Sequence, residues 1–155
     1  MKINLLISAC LLGINCRYDG KIIDDFNFEK LFIKFNLIPI CPEQLGGLAT
    51  PRAASFFTFG DGNDTINGAS NLVNLDGVDV SKKFRKGAEE TLKICKFFNI
   101  KYALLKEKSP SCGLNKIYLK EKLVDRQGVT AAILSKNGLS VVPENQIWRL
   151  YERKS

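Results

Sequence analysis

Four short apolar runs punctuate this chain, over residues 3–8, 37–40, 102–105 and 139–142. Each ends in small, proline or charged residues, as buried parallel strands do. Helical periods fall between and after them. Phe28, Leu31, Phe32 and Phe35 predict a helix over 24–36, with acidic residues near its start. Phe84, Ala88, Leu92, Cys95 and Phe98 keep one face of a long helix from 81 to about 99, for which Ser81 is the expected N-cap. A short helix over 129–135 stops at Asn137-Gly138, and a terminal helix runs over 143–152. Residues 46–71, rich in Gly, Ser, Thr, Asn and Asp, read as a long loop with room for a small hairpin, and loops of that length are usually functional or mobile. Strands alternating with helices predict an α/β fold: one domain over 1–155, three layers, a mostly parallel sheet, and a site at the carboxyl ends of its strands.

Composition narrows the classes. An apolar fraction of 45% in 155 residues supports a packed core and excludes disorder. No run approaches the roughly 20 apolar residues that span a bilayer, so no membrane partner is expected. The N-terminal segment through Cys10 has too short an apolar region for a signal peptide, which reads it as a strand and places the protein in the cytoplasm. The charge of +7, with Arg149, Arg153 and Lys154 near the C-terminus, suits either a solvated surface or attraction of phosphate-bearing ligands. A stable nucleic-acid complex is not expected, and the oligomeric state is left open. The chain has no histidine. Cys-His and Ser-His-Asp nucleophilic mechanisms are therefore excluded, and zinc loses its commonest partner to cysteine.

Three of the five cysteines follow predicted strands. Cys10 follows the first, Cys41 ends the second before Pro42-Glu43, and Cys112 sits in Ser109-Pro110-Ser111-Cys112-Gly113 after the third. Residues just past parallel strands share one edge of the sheet, so these thiols are expected to converge. Cys95 falls on the apolar helix face and reads as core. Cys16 fits equally a fourth ligand and a turn residue near the site. The odd count and a reducing compartment argue against a disulfide framework. With no close Cys-x-x-Cys pair and no histidine, three thiols suit an iron–sulfur cluster better than zinc. Glu43, two residues past Cys41 in an extended segment, would face the same side as that thiol and supply a proton shuttle. Ser109 and Ser111 offer hydroxyls to substrate or proton. Lys106, Lys108, Arg17, Asp19 and Arg52 are charges near the cysteine segments, and Gly46-Gly47 lets backbone approach a ligand.

Several segments together resemble one family. They are Ser8-Ala9-Cys10-Leu11-Leu12-Gly13, Cys16-Arg17-Tyr18-Asp19-Gly20, Cys41-Pro42-Glu43 with Gly46-Gly47-Leu48 and Pro51-Arg52, Ser109 to Gly113, and Gly128-Val129-Thr130-Ala131-Ala132. The family is that of the thiouracil desulfidases, long known as domain of unknown function five-two-three. The resemblance implies a 4Fe-4S cluster held by Cys10, Cys41 and Cys112, with Cys16 outside the ligand set. It implies removal of sulfur from a thiolated pyrimidine, a uracil or its nucleotide, by water and without net redox. It implies catalysis by Glu43 and a serine of the last cysteine segment, Ser109 in preference to Ser111. Arg17, Asp19, Gly46, Gly47, Arg52 and Lys106 are expected to bind substrate from their charge and placement beside those segments. The chain departs from the family's usual pattern at Ala53-Ala54-Ser55-Phe56, Tyr118-Leu119-Lys120 and Arg126-Gln127-Gly128-Val129. A non-catalytic iron–sulfur sensor or sulfur carrier would need the cysteines but not Glu43 or the serines. A nucleotide-binding module would need only the cationic surface.

Overall fold

A computed structural model describes residues 1–153; Lys154, at the basic C-terminal end, lies outside them. The strands are β1 (Ile3–Ser8), β2 (Phe35–Ile40), β3 (Ser55–Phe59), β4 (Asn71–Asn74), β5 (Tyr102–Leu105), β6 (Ile117–Leu119), β7 (Lys122–Val124) and β8 (Ser140–Pro143). The helices are α1 (Leu31–Lys34), α2 (Pro42–Leu45), α3 (Gly62–Ile66), α4 (Ser81–Phe97), α5 (Val129–Lys136) and α6 (Trp148–Tyr151). Short 3-10 turns cover Ala9–Leu12 and Glu144–Gln146. No described helix is long and apolar enough to cross a membrane.

The main sheet is parallel throughout, in the order β2-β1-β5-β8. Leu5, Leu6 and Ile7 of the inner strand β1 are all fully buried, because both faces of the sheet are covered. Alternate residues divide between two cores. Leu6, Ala103, Leu105 and Val141 pack with Phe84, Ala88 and Cys95 of α4 and with Val129 and Leu134 of α5. Leu5, Ile7, Leu104 and Val142 pack on the other face with Leu31, Phe35 and Leu150. Pro39 is accommodated in β2 because that strand is an edge of the sheet, where a missing N–H costs no ladder bond.

The mixed α/β fold with its mostly parallel sheet follows the hydrophobic pattern, and four local expectations are corrected. The helix over 24–36 shrinks to the single turn α1, because Phe35 and Asn36 pair with Ile3 and Asn4 as the start of β2. Here strand pairing and burial of Phe35 override the helical period. Residues 46–71 are more than a loop. They hold β3 and α3 and lead into β4, and with the β6-β7 hairpin they build a second sheet in the order β4-β3-β6-β7. Its core residues Phe57, Leu72 and Ile117 are fully buried, but their strands are too short to show a period. The polar composition reflects the α3 cap, where Asp61 and Asp64 form a reciprocal capping box. Ser81 is the first helical residue of α4, not its cap. Its hydroxyl accepts from the Leu72 N–H at 2.9 Å, while the Asp79 carboxylate accepts from the Ser81 N–H. The terminal helix over 143–152 divides into the 3-10 turn and α6, with Pro143 closing β8.

Helix α2 lies on α4 with almost no side chain between them. A Cβ on Gly46 would stand 2.1 Å from the Lys83 carbonyl oxygen, and one on Gly87 would stand 1.9 Å from the Pro42 carbonyl oxygen. Both glycines are therefore required by backbone contact. That contact fixes the segment Cys41 to Gly46 against the longest helix of the fold.

Candidate active site

Strands β2, β1 and β5 are neighbours, so the segments leaving their carboxyl ends meet. Cys10 stands in the 3-10 turn after β1, Cys41 directly after β2, and Cys112 in the loop after β5. All three line one cavity of about 460 Å³, a normal size for a small-molecule site. Cys16, 2% exposed, lines it too. Its thiol lies beside those of Cys10 and Cys41, and the Cys41 thiol donates to the Cys16 carbonyl oxygen at 3.7 Å. Cys95 is remote, buried on α4.

Every shifted thiol at the site is pushed up. Cys16 rises to about 11, through its hydrogen bond with Cys10 and its burial. Cys41 rises through its contact with Cys16 and through burial. Cys112 rises to about 12, mainly through burial, against the opposing effect of hydrogen bonds with Ser8 and Ser111. Such thiols stay protonated near neutrality unless a cation or cluster stabilises the thiolate. Among the described residues, no three His, Cys, Asp or Glu side chains close on a point as one metal ion requires. A tetrahedral ion with metal–sulfur bonds of about 2.3 Å needs that tight grouping; a cubane distributes its thiolates over separate irons. Three soft donors around one cavity, without histidine, fit the cluster.

Glu43 reaches the same cavity by a route the sequence did not suggest. The chain is extended only at Cys41; Pro42 starts the α2 turn, and Glu43 stands in its first turn. One carboxylate oxygen accepts from Arg52 Nε at 3.1 Å and the other from the Ser109 hydroxyl at 3.4 Å. Burial pushes this carboxyl above its ordinary range, and the Arg52 charge and hydrogen bond oppose the shift. Arg52 is held by the Ala49 carbonyl and the Thr50 hydroxyl as well.

The two serines separate clearly. Ser109 lines the cavity, and its hydroxyl oxygen accepts the N–H groups of Ser111 and Cys112, each at 3.1 Å. With its oxygen so engaged, its proton is directed to Glu43. Ser111 is 1% exposed and shares a 2.8 Å hydrogen bond with Thr130, away from the cavity wall. The loop carrying both is seated on the start of α5, where the N–H groups of Val129 and Thr130 donate to the carbonyls of Pro110 and Ser111.

Of the other expected residues, Arg17, Arg52 and Lys106 line the cavity, and Asp19, Gly46 and Gly47 do not. Asp19 pairs with Arg17 at 3.3 Å and accepts from the Lys21 N–H. Gly46 is closed off by α4, and Gly47 turns the chain at φ +96° on the exposed side. The cavity also takes in Tyr18, Phe56, Glu107, Lys108, Tyr118 and Lys120. Phe56, Tyr118 and Lys120 fall in segments where the chain departs from the family's usual pattern, and they come from the second sheet and its hairpin rather than from loops.

Residues 5–146 match the family described as 2-thiouracil desulfurase. The chain belongs to that family. The match spans every cysteine segment and most of the chain. This 2-thiouracil desulfurase family member is 39% identical over 146 residues to the uncharacterized protein YbbK of Bacillus subtilis (strain 168), across 92% of this chain and 97% of that protein. Its fold matches a solved structure described as [4Fe-4S]-dependent thiouracil desulfidase TudS. The TM-score is 0.82 at 34% identity, covering 97% of this chain and 96% of the other.

Proposed function

We propose that this protein is an iron–sulfur-dependent desulfidase that converts a thiolated uracil, free or as its nucleotide, into the uracil compound and hydrogen sulfide. The observation carrying the proposal is Glu43, a buried carboxyl held between Arg52 and Ser109 over a cavity lined by Cys10, Cys41 and Cys112. A cluster carrier has no need of that arrangement. The reaction replaces C=S by C=O: water adds its oxygen to carbon and sulfur leaves with two protons as H₂S, with no net electron transfer. Cys10, Cys41 and Cys112 would hold the cluster, which supplies thiophilic iron to draw the sulfur away. The Glu43 carboxylate takes a proton from the attacking water. Arg52 orients that carboxylate and opposes the burial that favours its protonated form, and Ser109 fixes its second oxygen. Tyr18, Phe56 and Tyr118 offer aromatic faces to the pyrimidine. Lys106 is tied to Glu144 at 2.8 Å and Arg17 to Asp19. Lys108 and Lys120 have no carboxylate partner among the described residues, which suits a substrate carrying phosphate. A cytoplasmic location, where thiols stay reduced, suits this chemistry.

The direct test is anaerobic reconstitution. The protein is expected to be brown, to hold about four irons per chain and to release sulfide from a thiouracil or thiouridine monophosphate, followed by ultraviolet absorbance. Turnover that survives complete iron chelation overturns the proposal. The serines give a second test. Ser109→Ala is expected to lower turnover roughly a hundredfold, the lower range for a lost proton-transfer partner. Ser111→Ala is expected to keep turnover within about tenfold and to cost about 1–3 kcal/mol of stability by orphaning the buried Thr130 hydroxyl, measured by denaturant unfolding.

A further inference from the structure

The cavity wall contains a second buried carboxylate that the proposed chemistry does not use. Glu107 is 6% exposed. One of its oxygens accepts the backbone N–H groups of Asn115 and Lys116, each at 2.9 Å, and of Lys108 at 3.4 Å. The other is 3.4 Å from the Asn115 side-chain amide. A single carboxylate thus joins the two ends of the loop that presents Ser109 and Cys112. Its own backbone is held in turn: the Glu107 N–H donates to the Glu144 carboxylate at 2.6 Å, and that carboxylate also binds Lys106 Nζ at 2.8 Å. The preceding N–H, of Lys106, donates to the Ser8 hydroxyl at 2.9 Å, linking the loop to the end of β1.

We infer that Glu107 and Glu144 are positioning residues: together they clamp residues 106–116 closed, so that the Cys112 thiol and the Ser109 hydroxyl are held in place before any ligand arrives. The role of Cys112 as a cluster ligand rests on the function proposed above; the clamp itself does not. The physical argument is the fate of the N–H groups. Without the Glu107 oxygen, the Asn115 and Lys116 amides lose their acceptor next to a cysteine that is only 5% exposed. Part-buried N–H groups without partners are costly, and the loop recovers hydration by opening. A carboxylate binds several N–H groups more strongly than a neutral amide does.

The test is alkylation of individual cysteines by N-ethylmaleimide in the reduced full-length chain, read by mass spectrometry with the cluster removed and again with it reconstituted. Glu107→Ala is expected to speed labelling of Cys112 about tenfold in the cluster-free chain, the size expected for losing hydrogen bonds to a charged group. Cys95, the reporter buried on α4, is expected to keep its rate, because the opening is local. Glu107→Gln retains a carbonyl acceptor and is expected to stay within about threefold of the native rate. Glu144→Ala is expected to expose Cys112 in the same way. In the reconstituted chain, Glu107→Ala is expected to lose iron to a chelator about tenfold faster. Cys112 labelling unchanged in both alanine variants, or rising in step with Cys95, overturns the inference. If Glu107→Ala does not fold, Glu144→Ala decides alone. A chain that binds no cluster refutes the proposed function and leaves the cluster-free labelling to decide the clamp.

Discussion

Glu43→Gln is expected to keep its cluster and lose its turnover. The variant preserves the side chain's shape, its hydrogen-bond acceptor for Arg52 and the seat of α2 on α4, so the thiols stay where they are. What it removes is a base next to Ser109 in a chain that contains no histidine to replace it. A positioned general base is worth roughly a hundred- to ten-thousand-fold in rate, and turnover is expected to fall by that factor with iron content and visible absorption unchanged. Parallel measurement of iron, spectrum and kcat checks it. Native turnover in this variant removes Glu43 from the mechanism.

Cys112→Ala is expected to do the reverse and abolish the cluster. Its thiol is buried, and burial raises its pKa to about 12, so the thiolate exists only when something at the site stabilises it. The loop around it is held by the start of α5 and by Glu107. Iron content after reconstitution is expected to fall from about four per chain to near zero. The same loss is expected for Cys10→Ala and Cys41→Ala. Cys95→Ala, far from the cavity, is expected to retain full iron. Cys16→Ala separates a ligand from a neighbour: retained iron makes Cys16 a thiol that merely touches Cys10 and Cys41.

The main sheet was legible because its inner strands are buried on both faces and read as unbroken apolar runs, and because β1, β2 and β5 each lead to a cysteine segment. The long helix α4 was legible from its period. The second sheet was not. β6 and β7 are three residues each, and β3 and β4 are bounded by Asn, Ser and Asp whose work is capping and turning. Composition cannot separate such segments from loop. At the site, the cysteines and Glu43 were named from their neighbours in sequence, but their contacts with Arg52, Ser109 and Cys16 depend on which strands lie side by side. Gly46 misled for a physical reason: close backbone approach was the right inference, and the approaching group is Lys83 of α4 rather than a ligand. Glu107 gave no signal at all, because an acidic residue between two lysines is indistinguishable from surface until its loop closes around it.

The glycine contact between α2 and α4 has an evolutionary consequence. Two backbones touching at Gly46 and Gly87 transmit position without any intervening side chain. A shift of α4 therefore carries α2 and the Glu43 carboxyl with it, and the placement of the base depends on two residues that have no side chain to mutate gradually. Substitution at either glycine is an abrupt displacement of the carboxyl, with no graded intermediate.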